Sequence, residues 1–232
     1  MTRDVGVVIV AAGASTRTQV EAGGELKQFR WVSGKPMLLH SLHAFQARAD
    51  VAMVVVVLPQ RYLGDPPPWL FQCDTDRLLV APGGRHRGES VYNGLADIPS
   101  ECSVVLIHDA ARPFPTPEMV DRVVAEVRLG HGAIAALPVV DTLKEVDGSG
   151  RIVRTVEREG LWRAQTPQGF PREAIMRAHQ TAHDDGIAAT DDAGLFEKLG
   201  LPVVVVRGSE RAMKVTDASD FPRAEALLPL PD

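Results

Sequence analysis

The chain contains few cysteines and no long apolar run. Only two of its 232 residues are cysteine, Cys73 and Cys102, and they stand far apart in no metal-ligand spacing. This pattern excludes the disulfide framework of a small secreted domain and gives no support for structural zinc. The apolar run after Asp4 is too short to span a membrane and lacks a signal-peptide layout. We therefore expect a cytoplasmic protein with no membrane contact.

An excess of positive charge is also missing. The formal net charge is -5 at pH 7, and the lysines and arginines are scattered along the chain. Because binding to a phosphate backbone requires a cationic face, we expect no nucleic-acid partner. The content of 45% hydrophobic and 24% charged residues is typical of globular proteins, and the length is sufficient for a substantial core. We expect one domain over residues 1–232.

Short β-branched runs alternate with helical patterns. This alternation predicts an α/β fold with a mainly parallel sheet covered on both faces. Thr116 before Pro117 is typical of a helix start, and Gly200 of a helix end. The predicted strands are 5–10, 51–58, 78–80, 104–108, 133–140 and 203–206, and the predicted helices are 36–47, 89–97, 117–128, 172–184, 191–199 and 218–228.

The segment 141–163 breaks this alternation. Two β-like runs flank the Gly-rich turn around Gly148 and Gly150, which predicts a hairpin that projects from the sheet. Since a two-stranded ribbon is marginally stable alone, we expect it to pack against a second copy of the chain.

A loop of small residues follows the first strand. Ala11, Ala12 and Gly13 would let a polyphosphate approach backbone N–H groups, while Arg17 and Lys27 would neutralise its charge. The loop is neither a dinucleotide fingerprint nor a Walker loop. A plain strand-to-helix turn with a solvated Lys27 is the alternative.

A second loop combines glycines with basic residues ahead of a helix. The backbone around Gly84 and Arg85 and the hydroxyl of Ser90 could hold a base or a phosphate. The alternative is an ordinary turn with a solvated arginine pair. We expect His86 to be a surface residue without a role.

The strand 104–108 delivers Asp109 and Arg112 at its carboxyl end. Ligands of open parallel sheets bind outside that end, so Asp109 is a candidate Mg²⁺ ligand and Arg112 a candidate phosphate ligand. We expect His108 to face the core, because strand side chains alternate between faces.

Several motifs occur in order along the chain. They are Ala-Ala-Gly with Arg17, Lys-Gln at 27–28, His-Asp-Ala-Ala-Arg-Pro at 108–113, Asp141-Thr142, Thr-Pro-Gln at 166–168, Thr-Asp-Asp at 190–192 and Lys-Val-Thr at 214–216. Together they resemble the 2-C-methyl-D-erythritol 4-phosphate cytidylyltransferase family over nearly the whole length of the chain. The blocks at 108–113 and 166–168 are the specific parts, whereas many sugar-nucleotide transferases share the opening loop.

The resemblance implies a three-layer Rossmann-like nucleotidyltransferase fold and a reaction of the non-mevalonate isoprenoid pathway. CMP would pass from CTP to 2-C-methyl-D-erythritol 4-phosphate with the help of Mg²⁺, and the chain would form a homodimer through a β-arm at about 139–163. Thr142 and Arg158 would then complete the partner's site.

The resemblance also assigns residues to roles. The residues expected to bind CTP are Ala11, Ala12, Gly13, Arg17, Lys27, Gly84, Arg85 and Ser90. The residues expected to bind the polyol phosphate are Asp109, Arg112, Thr142, Arg158, Thr166, Thr190 and Lys214. The catalytic group is Arg17, Lys27, Asp109 and Lys214, with Asp109 on the metal. Taken singly, Thr190 would be a helix N-cap and Lys214 a surface charge.

The chain departs from the family pattern in the opening loop. Ser15 replaces the second glycine, Leu26 replaces the proline before Lys27, and Thr18 stands where Met is common. The connection from Arg17 to Lys27 is also longer than usual, which predicts a loop that is mobile without nucleotide.

Four other functions share parts of this pattern. A ribitol-5-phosphate cytidylyltransferase would share the fold and chemistry. A uridylyl- or guanylyltransferase would share only the opening loop, and a non-catalytic nucleotide-binding regulator would keep the fold without the reaction. A dinucleotide-dependent oxidoreductase fits worst, because its glycine fingerprint is missing.

Overall fold

The computed structural model describes residues 2–13, 26–187 and 189–227. The strands are β1 (Val5–Val10), β2 (Trp31–Val32), β3 (Lys35–Pro36), β4 (Val51–Leu58), β5 (Leu78–Pro82), β6 (Val104–Asp109), β7 (Gly132–Pro138), β8 (Leu143–Val146), β9 (Ile152–Val156), β10 (Trp162–Pro171) and β11 (Val203–Arg207). The helices are α1 (Met37–Gln46), α2 (Arg87–Ala96), α3 (Pro117–Arg128), α4 (Arg172–Asp185), α5 (Asp192–Lys198) and α6 (Asp220–Ala226).

A seven-stranded sheet forms the middle layer, in the order β11-β7-β10-β6-β1-β4-β5. All neighbouring strands in it are parallel except β10, which runs antiparallel to β6 and β7. One core packs α1 and α3 on one face, and a second core packs α2, α4 and α5 on the other. Both faces of β1 are buried, as its apolar sequence, β-branched at every position except Gly6, predicts. The predicted three-layer α/β fold is confirmed.

Strand β10 was missed by the sequence analysis. Its middle carries Pro167 and Gly169 among buried polar residues, a composition that does not read as a central strand. The pairing with β7 shifts register between Ala164 and Gln168, and the Thr166–Pro167 peptide bond is cis. The buried amides of Gln165 and Gln168 and the hydroxyl of Thr166 form hydrogen bonds with neighbouring segments.

The predicted hairpin is confirmed as the antiparallel pair β8 and β9. Its turn is fixed by Asp147, whose carboxylate accepts hydrogen bonds from the backbone of Ser149 and Arg151. The hairpin and its base (139–163), called the arm below, expose large apolar side chains. Val146 is 54% exposed, Ile152 64% and Val153 60%.

The remaining local predictions have mixed outcomes. Thr116 caps α3 through Met119 N–H, and Gly200 has the expected positive φ of 69° after α5. The cap of α5 is Asp191, however, and not Thr190, because the Asp191 carboxylate accepts from Gly194 N–H at 2.9 Å. In the described ranges, no helix has the length and apolar character needed to cross a bilayer. Both cysteines are free thiols.

Candidate active site

A cavity of about 420 Å³ lies at the carboxyl ends of β1 and β6. The parallel register pairs Val10 with Asp109, so the loops that follow these two strands meet there. The cavity brings together nine of the residues predicted from sequence: Ala11, Ala12, Gly13, Lys27, Gly84, Arg85, Ser90, Asp109 and Lys214. Arg17, like Ser15 and Thr18 and the loop predicted to be mobile, lies outside the described residues.

The loop of small residues at 11–13 is held in place by contacts with Gln28 and Gly83. Gln28, a buried side chain that the sequence analysis assigned no role, donates to the carbonyl oxygens of Ala11 and Gly13. Gly83 approaches the same loop so closely that a Cβ on it would overlap Ala12 Cβ and lie 3.1 Å from Leu58 O. The opening loop and the glycine loop therefore form one backbone wall of the cavity.

Substitution of Gly83 by alanine is expected to displace this wall. The added methyl must push Ala12 aside or strain β4, at a cost of about 1–3 kcal/mol in unfolding free energy. Because Ala12 lines the cavity, the KM for CTP, the nucleotide that the resemblance implies, should rise as well. Gly64→Ala is the matched control, since nothing lies within 4 Å of the methyl group that this change would add. An unchanged KM for CTP in Gly83→Ala would contradict the close packing of the two loops.

The glycine loop is organised by Ser90 and His86. The buried hydroxyl of Ser90 accepts from Gly84 N–H at 3.0 Å and lies 3.1 Å from His86 O, to which it donates. His86 Nδ1 accepts from Glu89 N–H and so caps α2. His86 is exposed, as predicted, but its ring has a structural role, because it satisfies a helix N–H group. Arg85 is exposed and pairs with Glu89 at 3.2 Å.

Asp109 lies between two cations on the cavity wall. Lys214 Nζ donates to its Oδ2 at 2.8 Å, and Arg87 Nε to its Oδ1 at 3.3 Å. Burial alone would raise the pKa of Asp109, but the positive charges of Arg87 and Lys214 lower that pKa well below its ordinary value. The carboxylate is therefore ionised at neutral pH. Lys214 is consequently an ion-pair partner of Asp109 and no isolated surface charge.

Arg87 is the main residue that the sequence analysis missed. It belongs to the loop whose arginines had a solvated alternative, yet its side chain is 30% exposed and bonds to both Asp109 and Asp192. The alternative of a solvated arginine pair is thus wrong for Arg87. Burial would lower the pKa of Arg87, but the charges of Asp192 and Asp109 raise it above the ordinary value.

His108 faces the core, as predicted, and links three segments. Its ring packs edge-on against Phe45, with centroids 5.0 Å apart. Because Nε2 lies 2.8 Å from Arg112 O, which can only accept, Nε2 carries the proton and Nδ1 accepts from the Thr166 hydroxyl at 3.1 Å. Thr166 Oγ1 in turn accepts from Asp109 N–H. This chain of hydrogen bonds fixes the backbone on which Asp109 is carried.

The buried ring of His108 makes stability depend on pH. Burial lowers the pKa of His108 from 6.5 to about 4. Between these values the unfolded chain binds the proton and the folded chain does not, so stability is full above pH 6.5 and falls with decreasing pH, by up to about 3 kcal/mol. Urea unfolding of the wild type and of His108→Gln at several pH values should show a steeper fall in the wild type. Parallel curves would contradict a neutral buried ring.

The other predicted substrate residues do not line this cavity in the described monomer. Arg112 lines a neighbouring cavity of about 570 Å³ that shares Lys214, and its guanidinium donates to Ala212 O and Ala164 O. Thr166 is buried, and its hydroxyl is engaged in the hydrogen bonds with His108 and Asp109 described above. Thr190 is exposed beside α5, and Thr142 and Arg158 are exposed on the arm. Arg158 donates to Val140 O there.

The donor set suits a metal ion carried by a polyphosphate better than a resident one. In the described part of the chain, no three His, Cys, Asp or Glu side chains come together as a metal site. Asp109 is a single carboxylate, and both its oxygens are in ion pairs. Mg²⁺ is commonly held by one or two carboxylates together with substrate phosphates and water, and Asp109 can fill that place.

Comparison with known proteins identifies the family. The family model of 2-C-methyl-D-erythritol 4-phosphate cytidylyltransferase matches residues 5–229. The chain belongs to this cytidylyltransferase family. A relative of that name from Frankia casuarinae is 43% identical over 97% of this chain and 81% of its own length. One from Desulforamulus reducens is 37% identical over 95% and 94%.

Solved structures of the cytidylyltransferase family share the fold. The crystal structure of the enzyme from Thermus thermophilus has a TM-score of 0.80 and 36% identity, covering 97% of this chain and 98% of that one. The chain is therefore an enzyme of the nucleotidyltransferase class. Membership does not favour the alternatives of a ribitol-5-phosphate cytidylyltransferase or a non-catalytic regulator.

Proposed function

We propose that the enzyme transfers CMP from CTP to 2-C-methyl-D-erythritol 4-phosphate, releasing pyrophosphate and forming 4-diphosphocytidyl-2-C-methyl-D-erythritol. The observation that carries this proposal is the cavity in which Lys27 and the Asp109–Lys214 ion pair face a wall of small residues, in a chain of this family. We further propose that residues 1–232 form one nucleotidyltransferase domain with the arm attached, and that the enzyme is cytoplasmic, which its free thiols favour.

The chemistry requires charge neutralisation and no general base. The acceptor phosphate is already an anion at neutral pH, and one of its oxygens attacks the α-phosphorus of CTP in line with the departing pyrophosphate. Negative charge accumulates on the transferred group and on the leaving group. Lys27 and Arg17 would stabilise these charges, while Lys214 would orient the attacking phosphate.

Base selection would rest on the backbone wall of the cavity. The tight approach of Gly83 to Ala12 and the internally bonded Ser90 make this wall rigid. A pocket that fits a pyrimidine closely would exclude purines by size, which is the property expected of a CTP site.

A divalent cation, Mg²⁺ in this proposal, would enter with CTP. Asp109 would hold it. When bound it supplies neutralising charge to the triphosphate. Asp109 would at the same time keep Lys214 in place at the cavity wall, since the two are joined by the ion pair described above.

An oxygen-isotope experiment tests this reaction. With ¹⁸O in the non-bridging phosphate oxygens of the acceptor, all label should remain in the diphosphocytidyl product and none should enter pyrophosphate. Formation of CMP in place of the labelled product would show that water is the nucleophile. Absence of pyrophosphate from all reactions would contradict the proposed function.

We also propose that two copies pair through the arm and that Thr142 and Arg158 complete the partner's site. The exposed apolar side chains Val146, Ile152 and Val153 favour a covered arm, because a two-stranded ribbon is weak when it is exposed. Thr142 and Arg158 do not line the cavity of their own chain, so a role in binding requires another copy.

Mixing of inactive variants tests the shared site. Lys214→Ala and Arg158→Ala should each have little activity, but a mixed dimer contains one site with neither change. After subunit exchange, an equal mixture should recover about one quarter of wild-type activity, because half of the dimers are mixed and each has one intact site. The control mixture of Lys214→Ala with Lys27→Ala should recover none. Lys27 and Lys214 line the cavity of the same chain, so each site of a mixed dimer lacks one of the two lysines. Equal behaviour of the two mixtures would contradict the shared site.

A further inference from the structure

A buried acidic residue lies behind the active site. The side chain of Asp192 is only 2% exposed, and its Oδ2 accepts from Arg87 Nη1 at 2.7 Å. Its Oδ1 lies 3.1 Å from Nε2 of the buried His179 on α4. The backbone N–H groups of Asp192 and Ala193 both donate to Gln168 Oε1 at 3.1 Å. Asp192 is therefore held in place by strand β10, helix α4 and Arg87.

Arg87 connects this fixed residue to the cavity. Its Nη1 binds Asp192 and its Nε lies 3.3 Å from Asp109 Oδ1, so one planar guanidinium joins two carboxylates. The other oxygen of Asp109 binds Lys214, a side chain that is 45% exposed. The contact from Arg87 holds the second oxygen of Asp109, so the two cations together limit rotation of the carboxylate.

We propose that Arg87, anchored by Asp192, is a positioning residue that holds the Asp109 carboxylate in the orientation required for cytidylyl transfer. This inference rests on the role of Asp109 in the proposed function. Arg87 itself lines the cavity. Residues that orient a metal-binding carboxylate typically contribute about 10- to 100-fold to activity. The reason is geometric, because displacement of a reacting group by about 1 Å can cost about 100-fold in rate.

Steady-state kinetics of Arg87→Met and Arg87→Lys test the role. Both variants should lower kcat about 10- to 100-fold while the KM for CTP changes by less than about threefold. Lysine restores the positive charge next to Asp192 but cannot join two carboxylates with one planar group. Arg87→Lys should therefore recover much of the melting temperature lost in Arg87→Met without recovering kcat. Recovery of both quantities would overturn the proposal, because charge alone would then be sufficient.

A double-mutant comparison shows whether Arg87 acts through Asp109. In an Asp109→Asn background, Arg87→Met should reduce kcat no further, since the carboxylate it orients is already gone. Multiplication of the two losses would overturn the proposal. If Arg87→Met does not fold, Asp192→Asn serves in its place, because it removes the charged anchor while keeping the shape. A reduced kcat that disappears in the Asp109→Asn background is again the expected result.

Arg177→Met is the matched control. Arg177 also lies on a helix and pairs with an acidic residue, Glu173, at 3.7 Å, but both side chains are at least 75% exposed. Its kcat should equal that of the wild type. Inactivity of the wild type itself would refute the proposed function, whereas an active wild type with normal kcat in Arg87→Met would refute this inference alone.

Discussion

Lys27→Ala is expected to reduce kcat by about 100-fold or more, because it removes a cation from the wall that faces the triphosphate. The charge on the leaving pyrophosphate grows in the transition state, so the loss should appear in kcat as well as in kcat/KM. Initial rates of pyrophosphate release at saturating CTP and acceptor measure it.

Lys198→Ala is the control for this prediction. Lys198 is an exposed lysine in the last turn of α5 and lines none of the cavities described above. Its variant should keep wild-type kcat. Near-normal turnover of Lys27→Ala would contradict the assignment of Lys27 to the triphosphate.

Asp109→Asn is expected to reduce kcat by a similar factor of about 100 or more, although the side chain keeps its shape. The change removes the negative charge between Arg87 and Lys214, so two cations are left facing each other. It also removes the only acidic ligand proposed for the metal. A higher Mg²⁺ concentration for half-maximal activity should accompany the loss in kcat.

Asp121→Asn provides the control for charge loss. Asp121 also pairs with an arginine, Arg48, at 2.7 Å, but it is 63% exposed on α3. Exposed ion pairs contribute at most about 1 kcal/mol to stability, and no change in kcat is expected. If Asp109→Asn kept both normal kcat and normal Mg²⁺ dependence, Asp109 would have neither of its proposed roles.

The sequence predicted the parts of the site that depend on local pattern. Runs of β-branched residues identify the strands; Ala11 and Gly13 lie in the loop after β1, and Asp109 ends β6. Since parallel strands place their carboxyl ends at one edge, these residues had to meet there. The hairpin of the arm was also predictable, because its two strands are separated only by the short turn that contains Gly148 and Gly150.

Contacts between distant segments were not predictable from local pattern. Arg87 and Asp192 are separated by 105 positions, and each alone has an ordinary interpretation as a surface charge or helix-start residue. The buried glutamines and proline of β10 are likewise untypical of a central strand. Their burial is possible because α5 and β6 supply hydrogen-bond partners, which local sequence does not reveal. Single segments therefore encode the wall of the cavity, whereas Arg87 and Asp192 meet only through contacts between distant segments.

The most direct test of the central claim is a pyrophosphate-release assay of the wild type that crosses CTP, UTP, GTP and ATP with 2-C-methyl-D-erythritol 4-phosphate and ribitol 5-phosphate, with and without Mg²⁺. We expect rapid release only with CTP, methylerythritol phosphate and Mg²⁺ together. Preference for ribitol 5-phosphate, for another nucleotide, or equal release without any acceptor would contradict the proposed function.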